Sequence, residues 1–137
     1  MILVSACLAG INCRYDGKSN EIEKIIRLVE SGEAILVCPE QLGGMETPRK
    51  PCERIDDKVK NNDGVDKTKL FERGALETLK ICKLYGIKSA ILKSGSPSCG
   101  YGRIYDGKFS KTKIDGNGLT ADLLLKNGIQ IKTEKDI

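Results

Sequence analysis

The chain has 137 residues, a formal net charge of +4, 31% charged and 39% hydrophobic residues. That is the size of one domain with an ordinary globular balance, and it lacks the basic excess that points to nucleic acid. It has six cysteines and no histidine, which excludes Ser-His-Asp and Cys-His catalysis and every metal site that needs imidazole.

The apolar run over residues 1–6 predicts a buried strand ending at Cys7. Residues 8–19 read as loop, with Gly10, Asn12 and Asp16-Gly17 as turn signals. Asn20 with Glu23 three residues on has the form of a capping box, and Ile22, Ile25, Ile26 and Val29 give the following helix one apolar face, stopped by Gly32. Ala34–Val37 predicts a second buried strand, ending at Cys38. Residues 39–66 read as a long irregular segment with Gly43-Gly44, three prolines and many charges, and so long a loop in a small domain is usually functional. A second helix is predicted over Thr68–Tyr85, with Ala75, Leu76, Leu79 and Cys82 along one side and Gly86 past its end. Ser89–Leu92 predicts a third strand, which empties into Lys93-Ser94-Gly95-Ser96-Pro97-Ser98-Cys99-Gly100. An irregular hairpin around Asp106-Gly107, a helix over Leu119–Lys126 and a short strand over residues 129–131 complete the pattern. Strands alternating with helices, each strand a continuous apolar run, predict a single small doubly wound α/β domain over residues 1–137. Its parallel sheet has about four strands flanked by helices.

No apolar run approaches the ~20 residues that span a bilayer. The opening Met1-Ile2-Leu3-Val4 lacks the basic flank of a secretory signal. The expected location is cytoplasmic, where thiols stay reduced, so the cysteines read as thiolate chemistry rather than a disulfide framework.

All strands of a parallel sheet point one way, and ligands bind beyond their carboxyl ends. Cys7, Cys38 and Cys99 each follow a predicted strand, so the fold brings three distant cysteines to one edge. Three thiolates without histidine suit a soft metal centre. Structural zinc wants four ligands; a cubane iron–sulfur cluster held by three cysteines leaves one iron open, able to bind a substrate atom as a Lewis acid. Cys82, beside Leu79 on the second helix, reads as core. Cys13 and Cys52 lie in loops near the same edge and stand open as spare thiols, a fourth ligand or a sulfur carrier. Glu40, two residues after Cys38, is a candidate general base. Ser94, Ser96 and Ser98 near Cys99 have hydroxyls suited to binding an oxyanion or relaying protons. Arg14 and Arg49 read as ion-pair partners of Asp16, Glu46 or Glu53, or as groups that orient a polar substrate.

The segments Val4-Ser5-Ala6-Cys7-Leu8-Ala9-Gly10, Cys13-Arg14-Tyr15-Asp16-Gly17, Val37-Cys38-Pro39-Glu40 with Gly43-Gly44, Thr47-Pro48-Arg49, Leu92-Lys93 and Ser96-Pro97-Ser98-Cys99-Gly100 together resemble the small bacterial and archaeal family that includes the 2-thiouracil desulfidases. The resemblance covers essentially the whole chain. It implies a Rossmann-like domain and a [4Fe–4S] cluster with one iron not ligated by protein, held by Cys7, Cys38 and Cys99. It also implies catalytic roles for Glu40 and Ser96. Cys13 and Cys52 depart from the family's pattern.

The activity so implied is a non-redox desulfidation of a small-molecule thiolated substrate such as 2-thiouracil, giving uracil and hydrosulfide. A thiocarbonyl sulfur would meet the open iron, Glu40 would take a proton from the attacking water, and Ser96 would exchange a proton with the ring. No nucleic acid or membrane partner is expected, and the oligomeric state is left open. The rival reading is a sulfur-transfer or iron–sulfur carrier protein with Cys13 or Cys52 as the sulfur-bearing thiol. A zinc-binding interaction module is the third.

Overall fold

The computed structural model describes residues 1–137. Strand β1 is Ile2–Ser5, followed by a 3-10 turn over Ala6–Ala9 that contains Cys7. Helix α1 is Glu23–Glu30, strand β2 is Ala34–Val37, and helix α2 is the single turn Pro39–Leu42. Strands β3 (Cys52–Ile55) and β4 (Lys58–Asn61) come next, then the long helix α3 (Thr68–Tyr85) and strand β5 (Ser89–Leu92). Strands β6 (Arg103–Tyr105) and β7 (Lys113–Asp115), helix α4 (Leu119–Lys126), strand β8 (Gln130–Thr133) and a 3-10 turn over Glu134–Asp136 end the chain.

The main sheet has four strands in the order β2-β1-β5-β8. All its pairings are parallel, with Leu3 opposite both Ile35 and Ala90, and Ile91 opposite Lys132. Alternate side chains of each strand enter opposite faces, as strand geometry requires. Leu3, Val37, Ala90 and Leu92 join a core with α3 and α4 residues such as Leu79, Ala121 and Leu124. Val4, Ala34 and Ile91 face the other way and pack with Ile25 of α1. The chain leaves β1 for β2 on one side, then crosses to β5 on the other. The cleft between the carboxyl ends of β1 and β5 is therefore the point where strand order reverses, the usual ligand position in such sheets.

The segment predicted as irregular contains structure. Two glycines explain α2. A Cβ at Gly74 would overlap the Pro39 carbonyl oxygen, and one at Gly43 would overlap that of Leu70. Only glycines let α2 lie flush on α3, and this contact fixes Cys38-Pro39-Glu40 at the end of β2. Beyond it, β3 and β4 form an antiparallel hairpin with Cys52 opposite Asn61, anchored by Val59 against Met45 and Phe71. The expected hairpin around Asp106-Gly107 is present as β6–β7, with Ile104 opposite Ile114. Cys82 is core, as read from the sequence.

The capping box at Asn20 is not formed. Helix α1 begins at Glu23 with Ile22 as its N-cap and no side-chain cap, because Asn20 is engaged elsewhere. No helix is long and apolar enough to cross a membrane.

Candidate metal centre and active site

Cys7 lies in the turn after β1, Cys38 directly after β2, and Cys99 in the loop after β5. The three occupy one edge of the sheet, at the carboxyl ends of adjacent strands. All six cysteines are free thiols. Cys7 and Cys99 are buried and Cys38 is half-buried.

Cys13 comes to the same place from the first loop, buried against the first two. Its single S–H is within reach of either sulfur and favours the ionised form of the one it faces, so that Cys7 and Cys38 are lowered against the opposing effect of burial. Asn20 adds a second donor at Cys7, and the Gln41 backbone N–H one at Cys38. Cys13 is itself driven far up, because it serves as the donor to Cys38 and Cys7. Burial raises Cys99, with the Ser5 hydroxyl beside it pulling the other way. Ser5 is pinned by the Lys93 backbone N–H, which donates to its Oγ at 2.9 Å.

Glu40 sits on α2, near enough to Cys38, Cys99 and Cys52 for its charge to disfavour their thiolates. Its partner is Arg49, whose Nε donates to Glu40 Oε1 at 3.0 Å. The pair is largely withdrawn from solvent, with side-chain exposures of 6% for Arg49 and 16% for Glu40. The remaining guanidinium donors reach the Glu46 carbonyl (3.2 Å), Thr47 Oγ1 (2.9 Å) and the Cys13 carbonyl (2.8 Å). One arginine thus ties the carboxylate to the loop that carries Cys13. The second oxygen of Glu40 takes no hydrogen bond from the protein, and no buried side-chain oxygen lacks a partner, so Glu40 Oε2 opens to solvent. Arg49 also lines an open cleft of about 460 Å³, shared with Tyr15, Asp16, Glu46, Pro48 and Lys50.

Ser96 closes the turn before Cys99. Its Oγ accepts the backbone N–H groups of Ser98 and Cys99, both at 3.0 Å. Its own hydroxyl hydrogen has no protein acceptor and is free to donate. The other two serines are committed: Ser94 binds Glu134, and Ser98 Oγ lies 3.0 Å from Thr120 Oγ1 in the core. Of the three candidate serines, Ser96 alone has a hydroxyl that is neither bound to a carboxylate nor paired in the core.

Arg14 pairs with Asp16 at 2.8 Å, one of the partners expected, whereas Arg49 pairs with Glu40 and with none of the three carboxylates considered. Three participants escaped sequence reading: Cys13 as a donor between two thiols, Ser5 beside Cys99, and Asn20 at Cys7. Only Cys13 carried a signal, its position six residues after Cys7 in the same loop.

No three Cys, Asp or Glu side chains close around one point as a single-ion site requires. A cubane cluster takes its thiolates from separate corners, so it needs thiols that share an edge without meeting at a point. Three thiols from three strand ends, with no imidazole or carboxylate among them, are the soft donor set that such iron favours.

Fold and site together define a Rossmann-like α/β domain that presents thiols at the carboxyl edge of its sheet. A profile of the 2-thiouracil desulfurase family matches residues 2–136, and the chain belongs to that family. It is 44% identical over 147 residues to the uncharacterized protein YbbK of Bacillus subtilis (strain 168), covering 100% of this chain and 97% of that one. Its fold matches the solved structure of the [4Fe-4S]-dependent thiouracil desulfidase TudS with a TM-score of 0.96 and 46% identity, over 99% of this chain and 91% of that one.

Proposed function

We propose that this chain is a [4Fe–4S]-dependent, non-redox thiouracil desulfidase, and that Cys7, Cys38 and Cys99 hold the cluster with one iron free of protein ligands. The observation that carries the proposal is the arrival of these three thiols at one sheet edge beside Glu40, in a chain of the 2-thiouracil desulfurase family. When bound, such a cluster supplies a thiophilic Lewis acid that polarises a carbon–sulfur double bond. The protein supplies the rest. Arg49 fixes one oxygen of Glu40 and leaves the other, Oε2, open to hold a water and take its proton. The water oxygen bonds to the thiocarbonyl carbon, the carbon–sulfur bond breaks, and sulfur departs as hydrosulfide. Thiouracil becomes uracil, and no electrons are gained or lost. Ser96, its oxygen held by two backbone N–H groups, offers its hydroxyl hydrogen to the pyrimidine ring.

Six free cysteines suit a reducing compartment, so the cytoplasm is the proposed location. The sulfur-carrier reading has less support. Cys52 is raised to about 11, by burial first and then by Glu40, and a thiol so weakly ionised is a poor nucleophile at neutral pH. Cys13 is buried and held between two other thiols.

Anaerobic purification followed by iron and sulfide analysis, and assay with 2-thiouracil, tests the proposal. A brown protein with about four irons that releases uracil and hydrosulfide without an electron donor is the expected result. Turnover by iron-free protein, or a colourless zinc protein, overturns it.

A further inference from the structure

Cys7 is gripped by one residue at two points. Asn20 Nδ2 donates to Cys7 Sγ across 3.6 Å, and the Asn20 backbone N–H donates to the Cys7 carbonyl at 2.8 Å. Ile22 N–H continues the contact to the Leu8 carbonyl at 2.9 Å. An asparagine amide can present either its oxygen or its nitrogen to a neighbour, and its network decides which. Here Arg14 decides. A guanidinium has donors only, and Arg14 Nη1 lies 3.0 Å from the Asn20 side-chain oxygen. The carbonyl end must face the arginine, so the NH2 end must face the sulfur. Arg14 is itself fixed by Asp16 at 2.8 Å and by the Ser19 carbonyl at 3.3 Å. Asp16 also accepts the Lys18 backbone N–H at 3.1 Å, closing the turn that returns the chain to Cys7. Asn20 caps no helix, since α1 begins at Glu23 without a side-chain cap.

We infer that Asn20, aimed by Arg14, is a positioning residue that donates a hydrogen bond to the cluster-ligating sulfur of Cys7 and so draws electron density away from the cluster. The inference rests on the cluster reading above. A thiolate sulfur that shares its charge with an N–H has less to give to iron. Hydrogen bonds to ligating sulfurs make a cluster easier to reduce and its iron more electrophilic. In a hydrolytic desulfidase no electron is transferred, so the useful consequence is the electrophilicity offered to a thiocarbonyl sulfur. At Cys38 the comparable donor is the backbone N–H of Gln41, which no side-chain change removes. The Cys13 thiol is a further donor within reach of both sulfurs, and Asn20 is the side-chain amide that serves Cys7 alone.

The test compares anaerobically prepared wild type, Asn20→Ala and Asn20→Asp. Iron is counted, the cluster midpoint potential is measured, and resonance Raman spectra are taken in H2O and D2O. Asn20→Asp keeps the size of the side chain and its contact with Arg14, but it exchanges the donor for a negative charge that lowers the potential by itself, so the potential of Asn20→Ala is the deciding one. Both variants should retain the iron of the wild type and shift the midpoint to more negative potential. Both should also show smaller deuterium shifts of the iron–cysteine stretching bands, because the Cys7 share is lost while the donors at Cys38 and Cys99 remain. Wild-type potential and wild-type deuterium shifts in Asn20→Ala would overturn the inference. So would loss of iron from both while the wild type loads fully, since Asn20 would then be a structural clamp. If only Asn20→Asp fails to load, the potential of Asn20→Ala decides. An iron-free wild type would instead overturn the cluster reading, a distinct outcome.

Discussion

At the amino ends of β5 and β8, Cys82 lines a cavity of about 200 Å³ with Leu79, Ile87 and Ile129. At the carboxyl ends of β1, β2 and β5 lie Cys7, Cys38 and Cys99. Both ends of the sheet bury thiols. Cys82 has burial as its only influence and is raised by it. Cys7 is buried and Cys38 half-buried, yet donors from Cys13, Asn20 and the α2 backbone outweigh that and lower them. Burial by itself makes a cysteine an inert small hydrophobe; convergent donors favour the thiolate that a metal needs, as at Cys7 and Cys38, whereas Cys99 is raised by burial like Cys82. The parallel sheet supplies the convergence at one end only, because loops leaving its strands gather there.

Single replacement of Cys7, Cys38 or Cys99 by Ala should break this contrast most completely. Each should lose or degrade the cluster and abolish turnover with 2-thiouracil, read by iron content and visible spectrum. An intact, active cluster in Cys99→Ala would remove that residue from the ligand set. The next effect separates holding iron from using it. Glu40→Ala should keep the cluster and lower single-turnover desulfidation by about 100- to 10,000-fold, the usual weight of a general base. Ser96→Ala should lose less, since solvent can replace a hydroxyl hydrogen. Glu40→Ala turning over at the wild-type rate with its cluster intact would make the carboxylate a bystander, with Asp16 the next candidate base.

A third group at the carboxyl edge is structural, and pH separates it from the residues proposed as catalytic. Glu134 accepts the Ser94 N–H at 2.7 Å and the Ser94 hydroxyl at 2.8 Å, and its Oε2 lies 3.2 Å from Lys93 Nζ. Burial alone would raise it, but these donors and the ammonium hold it below its ordinary value of 4.5. A carboxylate depressed by folding adds stability in full above that ordinary value and loses it as pH falls through the folded one. Denaturant midpoints measured downward from pH 6 should therefore fall below about pH 4.5, and Glu134→Gln should flatten that decline. An equally steep acid limb in the variant would assign the decline to other carboxylates.

The strands and long helices were legible because each is a strongly patterned apolar run. Alternation alone then placed Cys7, Cys38 and Cys99 together. The β3–β4 hairpin was not legible: Cys52-Glu53-Arg54-Ile55 and Lys58-Val59-Lys60-Asn61 are mostly polar, and Val59 is their one wholly buried apolar side chain. Helix α2 spans four residues, too few to show a period. Asn20 misled for a physical reason. Its spacing to Glu23 satisfies a local capping rule, but the Cys7 sulfur and the Arg14 guanidinium compete for the same side chain through the tertiary fold. Arg49 shows the same limit, since nothing in the spacing from Glu40 to Arg49 announces a buried ion pair.

The smallest expected effect lies at the other end of the sheet. Cys82 is packed with Leu79 and Ile87 in the larger core. Cys82→Ala removes one sulfur beside an existing cavity and should cost about 1 kcal/mol, with iron content and turnover unchanged. Cys82→Ser keeps nearly the same volume but buries a hydroxyl where the surroundings are apolar. An unpaired buried hydroxyl costs about 1–3 kcal/mol, so serine should be the more destabilising change despite being the closer in shape. Denaturant unfolding of the two variants decides the order. If serine proves as stable as the wild type, a polar partner or water reaches Cys82, and the inertness assigned to that end of the sheet fails. If instead either variant loses iron, the two ends are coupled through α3, whose opposite stretch packs on α2 and so on Cys38 and Glu40. The expectation of intact iron in both rests on the length of that helix, 18 residues, which places Cys82 near its far end and Gly74 about two turns nearer the site.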